Sequence, residues 1–218
     1  SSDSIVRSGS SPEDPTILYG DPWLLVVLKP SGLLSQPGRG DHLQDSLITR
    51  LQRLRGEHHL VHRLDRDTSG VVLVARCLDS LRRCSALFAA RRVNKLYEAE
   101  VEGQLHGRGR IDSRLARLDR DPPRYGDHPQ GRPSTTLWRV RARQEDSTKL
   151  WLRPLTGRSH QLRAHLAGIG HPILGDPIYG EGSMTPLRLH ARALGFQHPF
   201  TERRLRVFTR QDDDNHAG

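Results

Sequence analysis

The run from Trp23 to Leu28 is unbroken apolar, and so is the run from Val71 to Ala75. Apolar runs this short, closed by turn signals such as Lys29-Pro30-Ser31-Gly32, predict buried strands. Residues 97–101 alternate apolar and polar side chains before Gly103, which predicts a half-buried strand. Elsewhere the period changes to that of a helix. Leu43, Leu47, Leu51 and Leu54, with Ile48, recur at spacings of three and four and mark one helix face. Leu81, Cys84, Leu87 and Phe88 predict a second helix, opened by Asp79 or Ser80 as N-cap. Leu162, Leu166 and Ile169 place a third over residues 159–169, with Ser159 able to cap it and Gly170 as its stop.

Between Gly103 and Ser134 the chain is rich in Gly, Pro, Arg and Asp. This stretch is expected to be mostly exposed hairpin or loop, with Leu105, Ile111 and Leu115 anchoring short strands. Thr136–Ala142 and Leu150–Leu155 predict a strand pair turning at residues 145–147. Three strands in succession without crossover helices argue for an α+β fold on a mixed, mostly antiparallel central sheet. Residues 1–16 are expected to be a disordered polar tail, 17–210 one domain, and 211–218 an acidic tail.

Charge changes the picture. Lys+Arg number 34 against 25 Asp+Glu, a net charge of +9 over 218 residues. The pI near 10.5 favours a polyanionic partner, since neutralising phosphates releases counterions. Lys29, Lys95 and Lys149 are the only lysines. Arginine suits bidentate phosphate contacts, but a genomic bias toward arginine codons produces the same excess. Cys77 and Cys84 fit no zinc or redox spacing and are expected to stay reduced. His58, His59 and His62 cluster, and His160 and His165 lie five apart. None forms a helix-face His pair, so no metal is expected. No apolar run approaches the roughly 20 residues of a membrane span, and no secretory signal is evident at the start.

Three segments carry chemistry-bearing residues. In residues 62–70, HRLDRDTSG, two carboxylates, two arginines and a histidine precede a buried strand. Such a loop can be a solvated turn. Arg63 and Asp65 alternate around Leu64, however, so in an extended segment both would point away from the face that Leu64 anchors. In residues 155–166, LTGRSHQLRAHL, Arg158, His160 and Arg163 surround a helix N-terminus. That end can be a capped surface helix or an anion site. Tyr97 opens a strand, as core packing or as a stacking platform for a base.

The run HRLDRDTSG resembles the signature of the RluA family of pseudouridine synthases. KPSGLLSQPGR at 29–39, NKLYEAEVEG at 94–103 and LTGRSHQLRAHLAGIGHPILGDPIYG at 155–180 resemble further motifs of that family, in order. Leu189-His190-Ala191 and His198-Pro199 resemble its closing segment. The resemblance covers roughly residues 17–208. It implies a pseudouridine-synthase-like α+β fold and a cofactor-free isomerase acting on uridines in RNA. It makes Asp65 the catalytic residue. It implies that Tyr97 stacks on the target uracil and that Arg163 pairs with Asp65. Leu162 would pack beside the flipped nucleotide, and Arg63 would enter the RNA near the vacated base. Arg158 and His160 are further expected substrate-binding residues.

The wording GRSHQLR and the compact length are most similar to the subgroup acting on the tRNA anticodon stem-loop and a large-subunit rRNA hairpin. About 16 polar residues precede the first strand, so the catalytic domain itself is expected to grip the RNA, as a cytoplasmic monomer. Leu28 and Ser134 depart from the family pattern, which has a polar residue and an alanine there. Two rivals remain at this point. A non-catalytic RNA-binding protein on the same fold would not need Asp65, Tyr97 and Arg163 together. A carboxylate-dependent glycosidase would need a second acid, for which Asp67 is the nearby candidate.

Overall fold

A computed structural model describes residues 14–182 and 184–209; most of the two expected tails lies outside them. The chain divides into two compact units. One runs up to Val93 and resumes at Arg192; the other is Asn94–Ala191. The described elements are eleven strands and three α-helices.

In the first unit, β1 (Thr16–Gly20) pairs with β2 (Leu24–Lys29), and β2 pairs with β4 (Ser69–Ala75), both antiparallel. The short β3 (His59–Leu60) also pairs with β4, and β11 (Arg204–Phe208) pairs with residues 193–197 of β10 (Leu189–Gln197). Every residue of β2 and β4 is buried. This is why both read as continuous apolar runs rather than alternating ones. The first helix, α1, is Leu47–Arg55. Ser46 caps it through a reciprocal box: its Oγ accepts from the Thr49 amide at 3.2 Å, and its own amide donates to Thr49 Oγ1 at 2.9 Å. Leu43 falls outside α1, in a short 3-10 turn, because the cap at Ser46 starts the helix later than the apolar spacing suggests. The second helix, α2, spans Leu78–Ala89 with Cys77 as N-cap, so neither Asp79 nor Ser80 is the cap. Asp79 instead sits in the first turn, paired with Arg82 and Arg83.

The second unit is a sheet of β5 (Asn94–Glu102), β6 (Arg108–Arg120), β7 (Pro123–Asp127), β8 (Arg132–Arg143) and β9 (Ser147–Pro154). Its order is β5-β9-β8-β6-β7, antiparallel throughout. The stretch expected to be mostly exposed hairpin or loop is a hairpin of β6 and β7 whose first strand runs 13 residues, longer than expected, and the expected strand pair is β8 and β9. Sequence hides the full length of β6 and β8 because both strands alternate charged, exposed positions with small or polar inward ones such as Ser113, Ser134 and Thr136. Gly109 faces Trp138 across the ladder, and a Cβ there would come within 2.5 Å of the indole. Glycine is thus required for the ring to lie over the strand.

One face of this sheet carries the core, including Ala99, Val101, Leu150, Leu152 and Leu166. The third helix, α3 (Gln161–Gly168), packs on β6, β7, β8 and β9. It starts later than expected. His160, at φ 53°, is the N-cap, and its side chain caps nothing. Ser159 is not the cap, and Gln161 at the first helical position reaches back to the turn before the helix. Its Oε1 accepts from the Arg158 amide at 3.1 Å and from Thr156 Oγ1 at 2.7 Å. Gly170, at φ 84°, follows the helix as its stop.

Candidate active site

Asp65 lies in the first unit, in the loop between β3 and β4. The loop is short of regular structure, yet its backbone is held at successive residues. Ser35 Oγ donates to the Leu64 carbonyl at 2.7 Å and accepts from the Leu64 amide at 3.0 Å. The Asp65 carbonyl accepts from the Thr68 amide at 3.1 Å. The Arg66 carbonyl accepts from the Gly32 amide at 2.9 Å and from Lys29 Nζ at 2.8 Å. The Asp67 carbonyl accepts from Ser31 Oγ at 2.9 Å.

Lys29 is the centre of this clasp. It is fully buried, and its ammonium also donates to the Pro30 and Leu33 carbonyls at 2.9 and 2.6 Å. A buried ammonium is tolerable when its three protons all find acceptors, as here. Leu64 is buried, Arg63 is exposed and the Asp65 side chain is half-buried. The leucine is thus anchored between an exposed arginine and a half-buried aspartate. His62, next in line, stacks on Phe88 and accepts the Leu73 amide through Nε2 at 2.9 Å.

The other candidate residues belong to the second unit. Tyr97 sits on β5 opposite Leu152 and packs on the core cluster that also contains Leu162, 65 positions later. Arg158 is half-buried, its Nε donating to the Pro133 carbonyl at 3.1 Å. His160 bonds to Tyr179 Oη through Nδ1 at 2.9 Å and meets the Tyr125 ring edge-on.

Arg163 is buried and donates to Asp176 through two parallel bonds of 2.8 Å. Asp176 is itself fully buried and accepts from the Ile178 and Tyr179 amides at 3.0 and 3.2 Å. Burial opposes its ionisation. The Arg163 hydrogen bonds and charge, with the two amides, more than offset that and hold the carboxyl below its usual range. The Tyr179 ring lies beside the Arg163 guanidinium, 5.4 Å from centroid to Cζ, and its hydroxyl accepts the Tyr125 amide at 2.9 Å.

Two residues further along α3, His165 is locked to the sheet. Gln161 Nε2 donates to Thr136 Oγ1, which leaves the Thr136 proton for His165 Nδ1 at 2.8 Å. The Ser134 hydroxyl donates to the Ser113 carbonyl at 2.8 Å, so its oxygen accepts from His165 Nε2 at 2.9 Å. This network assigns the neutral Nε2–H tautomer. Burial pushes the His165 pKa down to about 4, against a smaller upward pull from Asp112 and Asp127. Ser134, a departure at the sequence level, is what supplies this acceptor.

Asp176, Lys29 and Ser35 have no functional role in the sequence reading, and His165 enters it only as a rejected metal candidate. Two of them leave a weak signal: Asp176 lies in the run LGDPIYG, and Lys29 ends an otherwise apolar strand. Among the described residues no group of three or more His, Cys, Asp or Glu is placed to hold a metal ion, and no helix is long and apolar enough to cross a membrane. The chemistry on offer is a carboxylate on a fixed backbone, an aromatic ring on a strand, and cationic groups around one helix.

Residues 23–168 match the RNA pseudouridylate synthase family. The chain is 41% identical over 197 residues to the dual-specificity RNA pseudouridine synthase RluA of Salmonella typhi, over 86% of this chain and 90% of that one. The same figures hold for the enzyme of that name from Escherichia coli K12. Among solved structures, human RNA pseudouridylate synthase domain containing 1 matches with a TM-score of 0.79 at 27% identity, over 96% of this chain and 89% of that one.

Proposed function

This chain belongs to the RNA pseudouridylate synthase family, isomerases that convert uridine to pseudouridine, and from that premise we propose that Asp65 is its catalytic residue and RNA stem-loops are its substrates. The observation that carries the site assignment is the clasp around residues 64–67. It fixes the backbone on both sides of a half-buried carboxylate, as a group acting on one atom of a sugar requires.

The reaction breaks the N1–C1′ glycosidic bond, turns the uracil and rejoins it through C5. Nothing is oxidised and no group leaves, so no cofactor is called for. Asp65 acts at the sugar, as nucleophile at C1′ or as base at C2′. Tyr97 keeps the detached uracil stacked, and Leu162 packs beside the flipped nucleotide. In this reading Arg163 orients the carboxylate. Extruding the uridine costs roughly a few kcal/mol, which Arg63 offsets by filling the gap. Arg158 and His160 bind the RNA around the N-terminus of α3.

The substrates of this reading are the tRNA anticodon stem-loop and a large-subunit rRNA hairpin, modified in the cytoplasm by a monomer. The dual specificity in the names of the bacterial relatives supports it. So does the net charge of +9. The test is incubation with a roughly 17-nucleotide anticodon stem-loop, the rRNA hairpin and an assembled subunit, a loop uridine being cheapest to extrude. Pseudouridine in both hairpins is expected. Reaction with the assembled particle alone would overturn the substrate assignment, and release of free uracil would overturn the chemistry.

A further inference from the structure

The arginines of the second unit are not treated alike by their surroundings. Arg110 donates to Asp112 at 2.6 Å, and Arg141 lies 3.5 Å from Glu98 with its guanidinium over the Trp151 ring. Arg108, Arg139 and Arg143, at the end of the β6–β8 pair, have no carboxylate partner among the described residues. Arg108 and Arg139 are directly opposite each other across the ladder. Like charges in that position are destabilising. The Arg143 guanidinium rests on His106, donating to its ring nitrogen, so its neighbour is a second basic group. The left-handed turn at Gly107, φ 72°, is tied to β8 by the Val140 amide at 2.8 Å and brings His106 up to this cluster.

These side chains line an open groove of about 480 Å³ together with Gly107 and Val140. All four basic residues are exposed. The groove lies far from the helix that gathers Arg158 and His160. Arg158 is held by Pro133, which precedes Arg139 by six residues and Arg143 by ten on β8, a separation of about 20 to 30 Å at the rise of a strand.

We propose that this groove is a second RNA-binding site. It takes backbone phosphates of the substrate beyond the stem-loop that carries the target uridine. The proposal rests on the family's RNA substrate and goes beyond the active site. A phosphodiester between Arg108, Arg139 and Arg143 relieves the like-charge contact and supplies the acceptors that the protein leaves out. Arginine forks suit such oxygens. A minimal hairpin held near Arg158 offers few phosphates at this distance, whereas a longer RNA extends past the stem-loop and can lay its backbone along the groove.

The experiment compares a triple variant, R108Q/R139Q/R143Q, with the charge-keeping R108K/R139K/R143K. Each is assayed on a roughly 17-nucleotide hairpin and on a full-length RNA containing it. Direct binding of the long RNA is measured over a range of salt. In the glutamine variant the ratio of KM for the long RNA to KM for the hairpin should rise about tenfold, and the salt slope for long-RNA binding should fall by about two. The lysine variant should stay within about threefold of the parent on both counts, and its folding controls for damage to the sheet. An unchanged KM ratio, an equal loss on both RNAs, or equal behaviour of the two variants would overturn the proposal. If neither RNA is turned over by the parent enzyme, the substrate assignment falls, while the binding arm still decides the groove.

Discussion

The loop that carries Asp65 and the helix that carries Arg163 are immobilised by different means. Around Asp65 the protein holds the backbone. Carbonyls at 64, 65, 66 and 67 each accept a hydrogen bond, several from residues 29–35. Around Arg163 it holds side chains. One guanidinium is fixed by a buried carboxylate, and the helix is fixed by His165 bonding to Thr136 and Ser134 of β8. The first arrangement fixes the loop through its backbone alone. The second builds a charged pair whose halves are costly to separate. A reacting group benefits from the first, and a supporting frame from the second.

The largest expected effect is on chemistry. Asp65→Asn keeps the shape and the clasp but loses the charge. Turnover should fall by at least about a thousandfold, and RNA affinity should stay within about tenfold, since phosphate contacts dominate binding. Single-turnover assays with equilibrium binding check this, and near-normal turnover would remove Asp65 from the mechanism.

Next comes the frame. Asp176→Ala strands a buried guanidinium and should cost about 3–5 kcal/mol in chemical denaturation. Adding Arg163→Met should recover part of that stability but no activity. If the double variant is no more stable than the single one, the pair is not the source of the cost.

Lys29→Met tests the clasp in the same way. Three carbonyls each lose one donor, that of Arg66 keeping the Gly32 amide, and the expected loss is roughly 3 kcal/mol. Turnover should fall further than in an equally destabilised variant remote from the loop, because the backbone beside Asp65 is released. Equal turnover in the two would mean the clasp serves stability alone.

The smallest effect is a pH dependence. The folded-state pKa of His165 lies below its unfolded value, so the neutral form stabilises the fold. That contribution is complete above about pH 6.5 and fades as pH falls from there toward about 4. Melting temperature should drop across this window, and the drop should be shallower in His165→Gln. Parallel curves for the two proteins would refute the buried neutral histidine.

What the linear chain determined about this protein is local. The buried strands at 24–28 and 71–75 show in the amino-acid order because their apolar runs are contiguous. The helix at 47–55 shows because one period organises it. The family motifs show because their chemistry is written in unbroken words, and Asp65, Tyr97, Leu162 and Arg163 could be named from them. Tertiary structure alone decided how those residues are held. Lys29 meets Arg66 across 37 positions, Gln161 ties the start of its helix to Arg158 and Asp176 holds Arg163. It also decided how far the strands at 108–120 and 132–143 extend. Several of their inward positions are serines, threonines and a glycine, and these read as loop until a partner strand and a buried histidine give their polar groups somewhere to bond. A buried polar group is stable only with a partner, and partners distant in the chain leave no periodic trace in its sequence.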